Sequence, residues 1–256
     1  AIHYFILAAN QNHLEAQFNL GIIYKRGEYV ARDINKAIHY CSLAANQNHP
    51  EAQYNLGVLF ASGEYIARDI KKAIHYYSLA ANQNHIDALY SLGVIYSNGK
   101  YIKVDMQKAI HYFLLAAEQN HTYSQYLIGL FYEKGQYLTC DINKAIHYYS
   151  LAANQNYTDA LYRLGVIYNS DNRVTQNINK SIHYLSLAAK QNHSDALFRI
   201  GIIYALGKYV EQDISKAIRY FSLASNQNHS NAQYALCIIY YSDKRITLDV
   251  SKASHY

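Results

Sequence analysis

The chain has a single proline, Pro50, and its eleven glycines never cluster, so no stretch of it reads as a linker. Charge is also scarce. Only 16% of residues are charged against 51% apolar, which excludes a disordered, solvating chain and leaves ample material for a core. The net charge of +5 is modest, and its lysines and arginines are scattered rather than gathered in a block, so no nucleic-acid partner is expected. No apolar run approaches the roughly 18 to 20 residues that span a bilayer, and no signal peptide opens the chain, so direct membrane insertion is not expected. The three cysteines, Cys41, Cys140 and Cys237, are odd in number and share no register. They exclude a disulfide framework and fit a reducing compartment, which favours the cytoplasm. Phosphate loops, paired catalytic carboxylates and cysteine-nucleophile motifs are missing as well.

What the chain does contain is a repeat. The stretch KAIHYYSLAANQNH, Lys72 to His85, returns in near-copies, and its histidine recurs at His3, His39, His75, His111, His147 and His183, then as Arg219, then at His255. Every step is 36 residues. A period between about 20 and 50 residues marks a stacked array. The expectation is one array over residues 1–256 with no domain boundary. Ala1 and the segment Lys252 to Tyr256 both fall inside the helical motif, so a longer parent chain is expected, with further repeats or end-to-end stacking covering both ends.

Within one unit, Ile34, Ala37, Ile38, Cys41, Ala44 and Ala45 follow the spacing of an amphipathic helix. Asp33 stands ahead of it as an N-cap, echoed by Asp69, Asp105, Asp141, Asp213 and Asp249, with Asn177 as a conservative substitute. Paired alanines such as Ala44–Ala45 and Ala80–Ala81 allow close antiparallel packing. Asn48 suits the left-handed conformation of a helix end, so the turn into the next helix is short. That helix runs from about Pro50 to Ser62, with Ala52, Leu56, Leu59 and Phe60 turned to its partner. Gly57 and its counterparts Gly21, Gly93, Gly129, Gly165 and Gly201 predict close helix contact, since glycine costs roughly 1 kcal/mol of helix propensity relative to alanine; Cys237 takes the slot in the last copy. Gly63 and Gly99 supply a left-handed stop, while Asp171 and Asp243 replace that glycine and predict the least rigid turns. The tyrosine and aliphatic residue that follow, Tyr65–Ile66 and Tyr101–Ile102, are expected to fold back onto the core.

The pattern A-x3-L-G-x2-Y, a glycine turn, an aspartate, then K-A-x6-A-A, carried by Ala52, Leu56, Gly57, Gly63, Asp69, Ala73, Ala80 and Ala81, resembles the Sel1-like repeat, a relative of the tetratricopeptide repeat. The resemblance covers essentially the whole chain. It implies an all-α fold, a right-handed superhelical α/α solenoid of 36-residue helix-turn-helix repeats. The A-x3-L-G-x2-Y helix, here the A helix, would line the concave side, and the K-A-x6-A-A helix, here the B helix, the convex side. Full repeats then start near 14, 50, 86, 122, 158 and 194, with partial repeats at 1–13 and 230–256. The family's usual loop glycines are replaced here by asparagine and tyrosine.

On the A helix, the residues opposite the core are Glu51, Tyr54, Asn55, Val58, Ala61 and Ser62 and their equivalents. An aromatic holds one position, at Phe18, Tyr54, Tyr90, Tyr126, Tyr162, Phe198 and Tyr234, and an aliphatic holds another. Two more vary, as Asn19, Asn55, Ser91, Leu127, Arg163, Arg199 and Ala235, and as Lys25, Ala61, Ser97, Glu133, Asn169, Ala205 and Tyr241. A fixed apolar floor with a changing polar rim is how peptide-binding surfaces are composed. The candidate groove therefore comprises Tyr54, Asn55, Tyr90, Ser91, Tyr126, Leu127, Glu133, Tyr162, Arg163, Phe198 and Arg199. The competing reading is that these tyrosines pack against the adjacent repeat, and tyrosine can do both.

Neither a metal nor a cofactor is expected. His39, His75, His111 and His147 fall on successive helices about 8 to 10 Å apart, too far to share an ion whose ligands sit about 2 Å away. The turn histidines His49, His85 and His121 are expected to pack or cap. Ser78, Ser150 and Ser186 recur without a unique acid and base, and the acids Glu15, Glu51, Asp87, Asp159 and Asp195 are accounted for by the helix dipole. Four glycosylation triplets, at Asn120, Asn156, Asn192 and Asn228, matter only in the secretory pathway, where some relatives serve as adaptors in protein quality control; that compartment stays open beside the cytoplasm. The expected function is a non-catalytic scaffold or adaptor for a partner protein or peptide, with a structural spacer as the alternative. An enzyme is not expected: the cysteine-rich relatives discussed as β-lactam binders or hydrolases pair cysteines in each repeat, and this chain does not.

Overall fold

Each B helix begins where its cap predicts. Asp33 accepts the amide of Lys36 through Oδ1 at 3.0 Å, and Asp69, Asp105, Asp141, Asn177 and Asp213 make the equivalent bond to the lysine three residues on. The cap's own N–H donates to the last tyrosine or phenylalanine of the preceding A helix, as Asp33 N to Tyr24 O at 3.0 Å. This ties the two helices at the loop. A helices stop at Gly27, Gly63, Gly99, Gly135 and Gly207, whose φ of 62° to 72° is left-handed. B helices stop at an asparagine in the same conformation, Asn12 through Asn228, before the chain re-enters a helix two residues later.

This computed structural model describes residues 2–170 and 172–242. Asp171, Asp243, Asp249, His255 and the segment Lys252 to Tyr256 lie outside the described residues. Fourteen helices and no strand occur among those described: α1 (Ile2–Asn10), α2 (Leu14–Arg26), α3 (Ile34–Asn46), α4 (Pro50–Ser62), α5 (Ile70–Ala81), α6 (Ile86–Asn98), α7 (Met106–Glu118), α8 (Thr122–Lys134), α9 (Ile142–Asn154), α10 (Thr158–Ser170), α11 (Ile178–Lys190), α12 (Ser194–Leu206), α13 (Ile214–Ser225) and α14 (Ser230–Ser242). Even-numbered helices are A, odd-numbered are B. Contacts group them into two compact units, 1–124 and 125–256. In each unit, every helix packs chiefly on its neighbours in sequence.

The core of both units is made at the same two places. One is the alanine pair of the B helix: Ala44, Ala80, Ala116, Ala152, Ala188 and Ala224 are fully buried, as is the Ala37-type residue two turns earlier. The other is the A-helix glycine. A Cβ on Gly57 would lie 2.5 Å from the Tyr77 ring, and the same holds for Gly93 with Phe113, and in the second unit for Gly201 with Phe221. At Gly21 the facing residue is Cys41, with Sγ at 2.4 Å from that Cβ, and at Gly165 it is Leu185 at 2.6 Å. The absence of a side chain lets a large B-helix residue lie directly on the A-helix backbone. On the other side of that residue, Leu56, Leu92, Leu164 and Ile200 are fully buried.

The tyrosine after the glycine turn departs from expectation. Tyr65, Tyr101 and Tyr209 are 41%, 46% and 47% exposed, whereas Val30, Val174 and Val210 pack on the core. The reason is visible at two of them: the Arg32 guanidinium sits 4.9 Å over the Tyr65 ring and Arg68 4.6 Å over Tyr101, and both arginines also donate to the phenol oxygen. A ring with a hydroxyl and a cation partner has little to gain from full burial.

Gly57→Ala is expected to destabilise the first unit by about 2 kcal/mol through overpacking against Tyr77, despite its better helix propensity. Urea unfolding of the two proteins checks it; an alanine variant as stable as the parent would show that the close approach is not what holds α4 to α5.

Candidate functional site

The aromatic stripe of the A helices is not an open floor. In the first unit Phe18 stacks on His49 with ring centroids 4.5 Å apart, Tyr54 on His85 at 4.6 Å and Tyr90 on His121 at 4.7 Å; in the second, Tyr162 stacks on His193 at 4.5 Å and Phe198 on His229 at 4.7 Å. Each histidine comes from the start of the next A helix. A second ring, on the following B helix, meets the same aromatic: Tyr77 with Tyr54, Tyr149 with Tyr126, Phe221 with Phe198. Tyr54, Tyr90, Tyr126, Tyr162 and Phe198 are thus half-buried between repeats, while Tyr234 is 67% exposed.

The turn histidines both pack and cap. Nδ1 of His13, His49, His85, His193 and His229 accepts the backbone N–H three residues on, at 3.2 to 3.3 Å. Nδ1 is therefore unprotonated, and the proton of the neutral ring sits on Nε2. That atom faces the acid of the preceding A helix: Glu15 lies 3.5 Å from His49, Glu51 3.2 Å from His85, Asp159 3.5 Å from His193 and Asp195 3.0 Å from His229. At His85 the approach is off-line, and Nε2 makes no hydrogen bond. The acids thus do more than meet a helix dipole: each is paired with the clasp of the next repeat. His121 also holds the Ser124 hydroxyl at 2.8 Å, and burial keeps its pKa below the ordinary histidine value although Asp87 opposes this.

The sequence also gave no warning of a buried amide ladder. Gln17 and Gln53 are fully buried and donate to Ala9 O and Ala45 O at 3.2 Å, and Gln47, Gln83 and Gln155 donate to Gln17, Gln53 and Gln125 at 2.7 to 2.9 Å. The signal was a fixed 30-residue spacing between glutamines, legible only once the stacking is known.

The two variable series meet across repeats. Lys25 Nζ donates to Asn55 Oδ1 at 3.0 Å, with burial pulling the lysine pKa down. In the same slot of the second unit, Glu133 lies 3.7 Å from Arg163 and accepts the buried Tyr149 hydroxyl at 2.5 Å. Burial works against the Arg163 charge, but Glu133 and Tyr126 outweigh it and hold the guanidinium protonated. Arg199 donates from Nε to the Tyr162 oxygen at 2.9 Å. Ser91 and Leu127 are half-buried. The B-helix histidines His39, His75, His111, His147 and His183 are exposed, and no group of three or more metal-ligating side chains gathers among the described residues. No helix among them is long and apolar enough to cross a membrane. Cys41 is buried and its thiol is pushed up to about 11 by that burial, Lys25 opposing; Cys140 is exposed.

A profile of the Sel1 repeat matches seven successive stretches, 1–13, 14–49, 50–85, 86–121, 122–157, 158–193 and 194–229. The chain belongs to the Sel1 repeat family. Repeats of this family generally serve as protein-interaction scaffolds and are generally non-catalytic. Among solved structures, the Sel1 array is similar to c5321, a protective antigen of uropathogenic Escherichia coli with an SLR fold, at 27% identity and a TM-score of 0.90 over 98% of this chain. It spans only 54% of that protein's length. A Sel1 repeat protein from Oxalobacter formigenes is 30% identical, with a TM-score of 0.77, over 99% of this chain and 73% of the other. No curated protein matches the sequence.

Two outcomes follow from the ionisations. Because the folded His121 takes up its proton less readily than the unfolded chain does, its contribution to stability is full above about pH 6.5 and is lost as pH falls below it. The Ser124 amide donates to His121 Nδ1 at 3.1 Å, so its protection factor, the exchange rate corrected for the base-catalysed intrinsic rate, should fall between pH 7.5 and 5.5; a protection factor that stays flat across that range would contradict the assignment. At pH 8, iodoacetamide should alkylate Cys140 in the native Sel1 array while Cys41 reacts only after unfolding; peptide mass spectrometry reads both.

Proposed function

We propose that this Sel1 array is a non-catalytic scaffold that holds a partner protein or an extended peptide against the A-helix face. The observation that carries the reading is a division of labour on that face. The aromatics Tyr54, Tyr90, Tyr126, Tyr162 and Phe198 each meet a ring of the next repeat, whereas Asn55, Ser91, Leu127, Glu133, Arg163 and Arg199 sit beside them with chemistry that changes along the chain. The stacked rings stay partly exposed at the rim, so they supply contact area while the neighbours supply discrimination. Because the frame is stabilised elsewhere, the rim tolerates substitution, which is what a reading surface requires.

Catalysis lacks a comparable basis. The nucleophile candidates and histidines recur in register, and the strongest ionisation shifts, at Tyr149, Tyr77 and Cys41, place protons firmly on buried groups rather than poising them for transfer.

The test uses the rim rather than the rings. The array itself places arginine at this slot, at Arg163 and Arg199, so the double variant Ser91→Arg, Leu127→Arg should fold with an unchanged melting curve. Proteins captured from native cell extract by the immobilised parent chain should drop about tenfold on the variant, as expected when a positive charge is introduced at an interface. A variant that retains every captured protein would overturn the assignment of the A-helix face.

A further inference from the structure

Two hollows adjoin on the second unit. One, about 350 Å³, is lined by Tyr162, Phe198, Arg199 and His229 on the A helices α10 to α14; the other, about 420 Å³, by Val174, Leu206 and Lys208 near the C-terminal end of α12. Asn169 and Ile202 line both. Through these shared residues the two hollows adjoin as a trough, and the slot that holds Glu133 in the preceding repeat holds the uncharged Asn169 here.

The charges along this trough are uneven. Arg163 has the Glu133 carboxylate at 3.7 Å, but Arg199 has only the Tyr162 phenol, its guanidinium carbon 5.6 Å from that ring. The one acid lining the hollow among the described residues, Asp195, is paired with His229 at 3.0 Å. Asp195 is held by that bond one helical turn before Arg199, and no carboxylate among the described residues forms an ion pair with the Arg199 guanidinium. Lys208, fully exposed and resting 4.9 Å over the Tyr209 ring, lies just past the helix stop at Gly207. Between the two cations, Leu206 is 69% exposed and Ile202 half-exposed.

The spacing specifies an occupant. Seven residues of helix, roughly 10 Å at 1.5 Å per residue, and then the stop at Gly207 separate Arg199 from Lys208, a span that an extended chain covers in about four residues at 3.3 Å each. In an extended chain residues i, i+2 and i+4 point to the same side. We propose that this trough binds an extended acidic segment of a partner protein, with a carboxylate at i on Arg199, an aliphatic side chain at i+2 over Ile202 and Leu206, and a carboxylate at i+4 on Lys208. The inference rests on the scaffold reading and names the chemistry of the partner for this part of the face. Arginine meets a carboxylate through two parallel bonds, and the exposed leucine is covered by the residue between.

The test is fluorescence anisotropy with the labelled peptide Ser-Glu-Ser-Leu-Ser-Glu-Ser and its counterpart carrying glutamine for both glutamates, titrated with the whole chain. The acidic peptide should bind at least tenfold more tightly than the glutamine peptide, and the difference should shrink at high salt. Arg199→Gln should remove the preference, Arg199→Lys should keep part of it, and Lys208→Gln should weaken binding about threefold. The slot accepts Asn19, Ser91 and Ala235 in other repeats, so loss of fold is not expected, and a melting curve verifies it. No binding of the acidic peptide, no preference over glutamine, or equal binding by Arg199→Gln would each overturn the proposal. If the peptide fails while Ser91→Arg, Leu127→Arg still loses its captured proteins, the scaffold reading stands and the acidic specificity alone falls.

Discussion

No side chain fits between α4 and the ring of Tyr77, and the rest of the architecture depends on that. With a Cβ 2.5 Å from the ring ruled out, glycine brings the A-helix backbone onto a large B-helix residue, and the repeat's length and loop geometry have to deliver the two to the same place each time. The aspartate cap, its N–H bonded to the last A-helix aromatic, and the left-handed glycine before it set how the B helix enters. Where the facing residue changes, to Cys41 or Leu185, the glycine stays, so the constraint is backbone approach rather than one particular pair of side chains.

Between repeats a different device operates. A histidine that starts one A helix satisfies a free backbone N–H of its own helix with Nδ1, lays its ring on an aromatic of the previous A helix, and turns Nε2 to that helix's acid. One side chain thus performs capping, stacking and charge pairing. Histidine is an uncommon cap, because serine, threonine, asparagine and aspartate offer a shorter reach; here the longer reach is what the inter-repeat contact needs. Where Tyr157 replaces the histidine, its ring still meets Tyr126 at 5.1 Å but tilted by 49° rather than stacked.

These two devices consume the invariant part of the repeat and leave the variable part at the rim. Lys25 with Asn55 and Glu133 with Arg163 occupy one geometric slot with different chemistry, and Asn169 with Arg199 occupies it without an acid. A surface of this kind varies its chemistry at little cost to stability, since exposed and half-exposed pairs contribute little to folding. On the proposed scaffold reading, specificity would reside in a series of single positions, each backed by the same frame.

Helix positions, caps, glycine stops and the close approach at Gly57 were legible in the sequence because each depends on local dihedral preference or on a period that a single chain displays. The 36-residue repeat likewise announced the Sel1 fold. The pairing of His49 with Phe18 and Glu15, the buried Gln53 and the exposed Tyr65 were not legible, because each is decided by a partner some 30 residues away whose orientation local spacing does not reveal. For the same reason the aromatic stripe could be read as floor or as packing: one helix shows only which side a ring leaves from. The sequence alone determined which residues form each helix and which must be small. Stacking decided which side of each ring is covered, which acids are paired and that Arg199 meets the Tyr162 phenol where Arg163 meets Glu133, since these follow from distances between repeats that no single repeat contains.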